Sequence, residues 1–222
     1  GVHLSNTHSL LFREDTTWRG VLIEADVVRF EQLSTLHADT KNICKNMAVS
    51  VNDSRHSLNT ILQETQLPEN FDFLCIDIDG NDYWVYHDLL RESVYRPKVV
   101  CIEFNPSMPN DLVYIPPRDD RIRHGASLAA LVELSEANSY VLVETTLFNA
   151  FFVPLELYEQ YLKNEVIDTS IEALHETTMG TSLYQLYDGT LKLSGCKKLL
   201  WHRQAIDENK IQMIREDQRD VP

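Results

Sequence analysis

The segment Phe71-Asp72-Phe73-Leu74-Cys75-Ile76-Asp77-Ile78 is a nearly unbroken apolar run that enters an acidic turn, Asp79-Gly80-Asn81-Asp82. A short continuous apolar run closed by turn residues reads as a strand buried on both faces. A helix follows at about 82–94, and Val99-Val100-Cys101-Ile102 makes a further strand ending at Glu103. Strand, helix, strand with continuous apolar strands is the pattern of a parallel sheet covered by helices on both faces.

The same rhythm extends upstream. Residues 4–15 read as a helix with Ser5 or Asn6 as N-cap, and Val21-Leu22-Ile23 as a buried strand ending at Glu24. Val28, Phe30, Leu33 and Leu36 recur at helical spacing within 27–38, residues 43–51 form a second strand, and a short helix at 57–66 is stopped by Pro68. Downstream, Pro106, Pro109, Pro116 and Pro117 mark 105–124 as a long loop. After a helix at about 126–137, the runs 140–143 and 149–153 are too close together for a parallel crossover and should pair antiparallel. A helix at 154–163 has Pro154 in its first turn. Tyr184 to Tyr187, Asp188-Gly189 and Thr190 to Leu193 signal a hairpin, and the last 15 or so residues are charged and solvent-facing. The organisation read from this is an α/β domain over 1–163 and a C-terminal extension over 164–222.

With 222 residues, 43% of them hydrophobic and 24% charged, the chain has the composition of a globular domain, and no apolar run is long enough to span a bilayer. A net charge of −14 argues against nucleic acid or an anionic membrane as main partner, since binding phosphates needs clustered Lys and Arg. Cys44, Cys75, Cys101 and Cys196 form no C-x-x-C pair and no zinc-finger spacing, which points to a reducing, cytoplasmic setting. The histidines form no His-x-x-x-His, and there is no Gly-x-Ser-x-Gly elbow.

In open parallel sheets, ligands bind beyond the carboxyl ends of the strands. Glu24, the segment after Val49, Asp77 to Asp82, and Glu103 to Asn105 stand there. An acid closing the second strand suits ribose hydroxyls about 20 residues after a Gly-rich turn, and Gly1, 23 residues before Glu24, suits the last glycine of such a turn. The first strand would then be missing from this chain. The run Asp77-Ile78-Asp79-Gly80-Asn81-Asp82 fails as an EF-hand loop, because the sixth and twelfth places hold Asp82 and Asp88 rather than Gly and Glu. Two readings stay open: an Asp-x-Asp pair chelating a divalent ion on a nucleotide sugar, or acids facing a methyl donor and its acceptor.

The strand ending Val21-Leu22-Ile23-Glu24-Ala25-Asp26, the stretch Asn46-Met47-Ala48-Val49-Ser50, and the 71–82 segment together resemble the FkbM-like branch of the class I S-adenosylmethionine-dependent methyltransferases, over about 1–153. That family typically shows Asp-x-Glu-Gly-x-Glu where this chain has Asp77-Ile78-Asp79-Gly80-Asn81-Asp82, so the charge is kept and the reach shortened. The resemblance implies a Rossmann-like sheet, mostly parallel with a terminal antiparallel hairpin, and S-adenosyl-L-methionine as cofactor. It implies Gly1, Glu24, Asn46, Ala48 and Asp77 as donor-binding residues. Asp79, Glu103 or Asn105 would orient the acceptor, a hydroxyl of a small molecule or sugar. The alternatives are a metal-dependent glycosyltransferase using Asp77 and Asp79, and a non-catalytic interaction module. Met108, Leu112, Tyr114 and Ile115, with Arg118, Arg121, Arg123 and His124, mark the 105–124 loop as an expected acceptor-binding element.

Overall fold

A computed structural model of the chain describes residues 6–11 and 17–219. Gly1, His3, Ser5 and the 12–15 part of the expected first helix lie outside the described residues; α1 is seen at His8–Leu11. The 71–78 run yields β3 (Phe73–Ile76), and α4 (Asp82–Glu92) carries the chain over to β4 (Val99–Glu103), which pairs with β3 in parallel, Cys75 opposite Cys101. β5 (Tyr140–Thr145) and β6 (Asn149–Pro154) form the expected antiparallel hairpin, with a register shift between Leu142 and Glu144. The hairpin's second strand lies beside β4, so the sheet order is β3-β4-β6-β5. β1 (Val21–Glu24) and β2 (Ile43–Asn46), joined by α2 (Val27–Leu36), make a separate parallel pair. The architecture is a mixed α/β fold.

Alternation along the strands builds two cores. Leu74, Ile76, Val100 and Ile102 face α3 (Leu58–Gln63), α4 and α5 (Leu128–Glu136) through Leu58, Leu62, Tyr86, Leu89, Leu90, Leu131 and Leu134. On the opposite face, Val99, Val141, Val143, Phe151 and Val153 meet Tyr158, Leu162 and Val166. Burial on both sides is why β4 reads as continuously apolar: Val100, Cys101 and Ile102 are at most 1% exposed. Each such aliphatic side chain contributes about 1.5–3 kcal/mol by leaving water.

Several elements differ from the sequence reading. β2 stops at Asn46 instead of running to 51, because Ser50 and Val51 turn to the 105–124 loop, as described below. The 154–163 helix is three α-residues, α6 (Leu155–Leu157), continued by a π-turn over Tyr158–Leu162, with Pro154 as the cap. α2 forms, but none of its residues is buried, and Val28 is 63% exposed. A short helix, α7 (Ile171–Leu174), sends Ile171 and Leu174 onto the main core. The distal hairpin is β7 (Thr181–Gln185) with β8 (Leu191–Gly195). Its loop is three residues rather than two: Leu186 and Thr190 still pair, the Gly189 N–H bonds Leu186 O, and Gly189 takes φ +83°. Two-residue strands, β9 (Lys198–Leu199) and β10 (Gln204–Ala205), follow. Among the described residues, no helix is long and apolar enough to cross a membrane.

Candidate functional site

The 77–82 turn is built around Asp82. This side chain is 1% exposed and curls back to accept the backbone N–H of Ile78 and of Gly80, each at 2.9 Å. Burial pushes its carboxyl up to about 6 against those hydrogen bonds. Asp82 is thus the anchor of the turn, and Asp77 and Asp79 are the carboxylates it presents. Asp79 sits at φ 58°, the left-handed region that a non-glycine residue rarely takes. Gly80 is needed for close approach: a Cβ there would lie 2.1 Å from the carbonyl oxygen of Ile122.

Glu103, closing the adjacent strand, completes the group. The carboxylates of Asp77, Asp79 and Glu103 lie within 4.8 Å of one another, a set of hard oxygen donors that could hold a divalent cation. Burial, with the charges of Asp82, Asp77 and Asp79, pushes Glu103 up to about 8. Asp77 presents exposed surface, yet the protein packed around it and the charge of Asp79 raise its carboxyl as well. No lysine, arginine or histidine among the described residues forms an ion pair with any of the three. Among the described residues, the side-chain donor to them is Asn6, whose Nδ2 reaches Asp77 Oδ2 at 3.1 Å and Cys75 Sγ at 3.6 Å. Asn6, expected as a helix cap, bridges two strand-end groups instead.

The loop after Glu103 does overhang this edge. Asn81 Nδ2 donates to Asp119 O at 2.5 Å, and Asp120 accepts from Ser50 Oγ at 2.7 Å and Val51 N at 2.9 Å. Arg118 forks onto Asp88 at 2.9 and 2.5 Å, donates to Val51 O and stacks over Trp84. Asn105 closes the neck: Nδ2 donates to His124 O and Oδ1 accepts Ser107 N, so its amide is engaged at both ends by the loop. Arg121 pairs with Asp119, and Arg123 donates to Asp120 O and Ile122 O. One braced segment therefore joins the residues beyond β3 and β4 to Ser50 and Val51.

At the β1–β2 edge, Glu24 Oε1 accepts Asp26 N at 2.9 Å, and Asp26 in turn caps α2 through Arg29 N. Asn46 Nδ2 donates to Glu24 O at 2.9 Å, tying the two strand ends together, and Ala48 is exposed just beyond. Gly1 lies outside the described residues. Sequence reasoning had no signal for Asn6 or Asp120, whose partners are 71 and 70 residues away. Compared with known proteins, the chain matches no family model, no curated protein and no solved structure.

Proposed function

We propose that the chain is an S-adenosylmethionine-dependent methyltransferase acting on a hydroxyl of a small molecule or sugar, with a Rossmann-like sheet. The observation that carries this reading is the group of Asp77, Asp79 and Glu103, without an ion pair among the described residues, at the carboxyl ends of parallel strands in a sheet closed by the antiparallel β5–β6 hairpin. Such a site favours a positively charged ligand, and its acids fit a donor bearing a sulfonium, an ammonium and ribose hydroxyls. When bound, that donor supplies an electrophilic methyl group. Glu24, with one carboxylate oxygen beyond its bond to Asp26 N, holds the ribose hydroxyls. Asn46 and Ala48 border the adenine, and Asp77 faces the donor's amino-acid portion. Asp79 and Glu103 orient the acceptor hydroxyl, and Glu103, raised to about 8, is the carboxylate suited to take its proton near neutral pH. Asn105 serves by holding the loop that covers them.

Isothermal titration with S-adenosylhomocysteine tests the reading. Binding that persists in EDTA and weakens at least tenfold in Glu24→Ala is expected; no binding to the wild-type chain refutes it. The convergence of three carboxylates also favours a second reading, the metal-dependent glycosyltransferase, in which Asp77 and Asp79 hold the ion. That reading requires a nucleoside diphosphate to bind only with Mn²⁺ or Mg²⁺.

A further inference from the structure

Cys75 and Cys101 stand directly opposite each other on the parallel strands β3 and β4. In-register neighbours point to the same face, and strands about 4.8 Å apart hold their Cα atoms within the range a disulfide bridges. Both are free thiols. Their exposure is unequal. Cys101 is 1% exposed, whereas Cys75 is only partly buried and its sulfur meets the amide of Asn6. Cys75 is the more exposed residue of the pair. Cys44 and Cys196, the other two, lie on different elements with no cysteine opposite.

We propose that Cys75 and Cys101 are an oxidative modification site that closes to an intramolecular disulfide by exchange with a low-molecular-weight disulfide. Cys75 attacks one sulfur of the reagent, forming a mixed disulfide and releasing one reagent thiol that carries the Cys75 proton. Cys101 then attacks the Cys75 sulfur, the mixed bond breaks, and the second reagent thiol leaves with the Cys101 proton. Two cysteine thiols are oxidised by two electrons and one reagent disulfide is reduced to two thiols. The bond staples β3 to β4 two residues before Asp77 and Glu103, and draws the Cys75 sulfur from Asn6. The chemistry does not depend on the proposed methyl transfer.

The experiment treats the full chain with oxidised glutathione and maps the products by mass spectrometry under denaturing, alkylating conditions. A peptide pair joined through Cys75 and Cys101, lighter by two hydrogens and restored by dithiothreitol, is expected. Cys101→Ser should trap one glutathione on Cys75, and Cys75→Ser should leave Cys101 unmodified while the chain stays folded. As a reading independent of the variants, the oxidised wild type should unfold at higher urea than the reduced. Stable glutathione on Cys75 with Cys101 still reduced in the wild type would overturn the proposal, as would reaction confined to Cys44 and Cys196.

Discussion

Gly80→Ala asks whether the segment over the strand ends is braced or merely adjacent. The added Cβ would lie 2.1 Å from Ile122 O, 2.9 Å from Ile122 C and 3.2 Å from Arg123 Cα. A short C···O contact is about 3.3 Å, so turn or loop must give by about 1 Å. Neither side gives readily. The turn is fixed by the two bonds into Asp82, and the loop by Asn81 to Asp119, by Asp120 to Ser50 and Val51, and by Asn105 to His124. Overpacking costs about 1–3 kcal/mol, a broken clamp adds about 1, and the stiffer unfolded chain returns about 0.4–1. The expected net loss is about 1–3.5 kcal/mol. Gly20→Ala is the control, because nothing lies closer than 3.8 Å to its Cβ and its φ is not left-handed. It should match the wild type or gain up to about 1 kcal/mol. Urea unfolding gives both values, and hydrogen exchange should show 118–124 opening in Gly80→Ala alone. Equal stability of the two variants, with unchanged exchange in that segment, refutes the brace.

Asp82→Ala strands the N–H groups of Ile78 and Gly80 and should cost about 2–4 kcal/mol in urea unfolding, with Asp82→Asn recovering part of it. Glu103 is raised from its usual 4.5 to about 8, so the folded chain holds that proton more tightly than the unfolded one. Its contribution is fully present below about pH 4.5 and is lost as pH rises through about 8. Glu103→Gln should therefore gain on the wild type between those values, and urea midpoints at pH 5 and 8.5 that differ equally would contradict this. Arg118→Ala takes the guanidinium from buried Asp88, which keeps its contact with His87 Nδ1, at a cost of about 2–3 kcal/mol, whereas Arg121→Ala, whose side chain is 89% exposed, should stay within about 0.5 kcal/mol.

The elements whose side chains answer to one period were legible in the sequence. β3, β4 and the β5–β6 hairpin follow from their apolar runs, and the short 144–148 connection alone excludes a parallel crossover. What was not legible depends on which distant groups a polar side chain meets. Val49 to Val51 reads as more strand, but Asp120 draws the Ser50 hydroxyl and Val51 amide into the loop and ends the ladder early. Asp77, Asp79 and Asp82 look alike in sequence; burial of one converts it into the support of the other two. Gly80 reads as a turn glycine, although the constraint on it comes from Ile122, 42 residues on.

On the proposed reading, the arginines of the loop bear on which acceptor this edge would receive. The sequence suggested that Arg118, Arg121 and Arg123 contact an anionic or hydroxyl-rich acceptor. Arg118 is held by two bonds to a buried aspartate, one to Val51 O and the face of Trp84, so recruiting it would take the guanidinium from Asp88 and leave the His87 ring at 3.0 Å beside that carboxylate. Arg121 and Arg123 are bound only within their own loop, to Asp119 and to local carbonyls, and an exposed pair of that kind is worth about 0–1 kcal/mol. They are the two that a ligand can redirect at little cost. Asp79 and Glu103, in the carboxylate group at the strand ends, repel an anion and accept hydrogen bonds from hydroxyls. On the proposed reading, a neutral, hydroxyl-bearing acceptor can donate to these acids, while a phosphorylated one would have to keep its charge beside Arg121 and Arg123. Charge reversal at Arg121 and Arg123 should leave the binding of a neutral polyol unchanged and abolish that of its phosphate ester; equal loss of both would place the acceptor on the arginines whatever its charge.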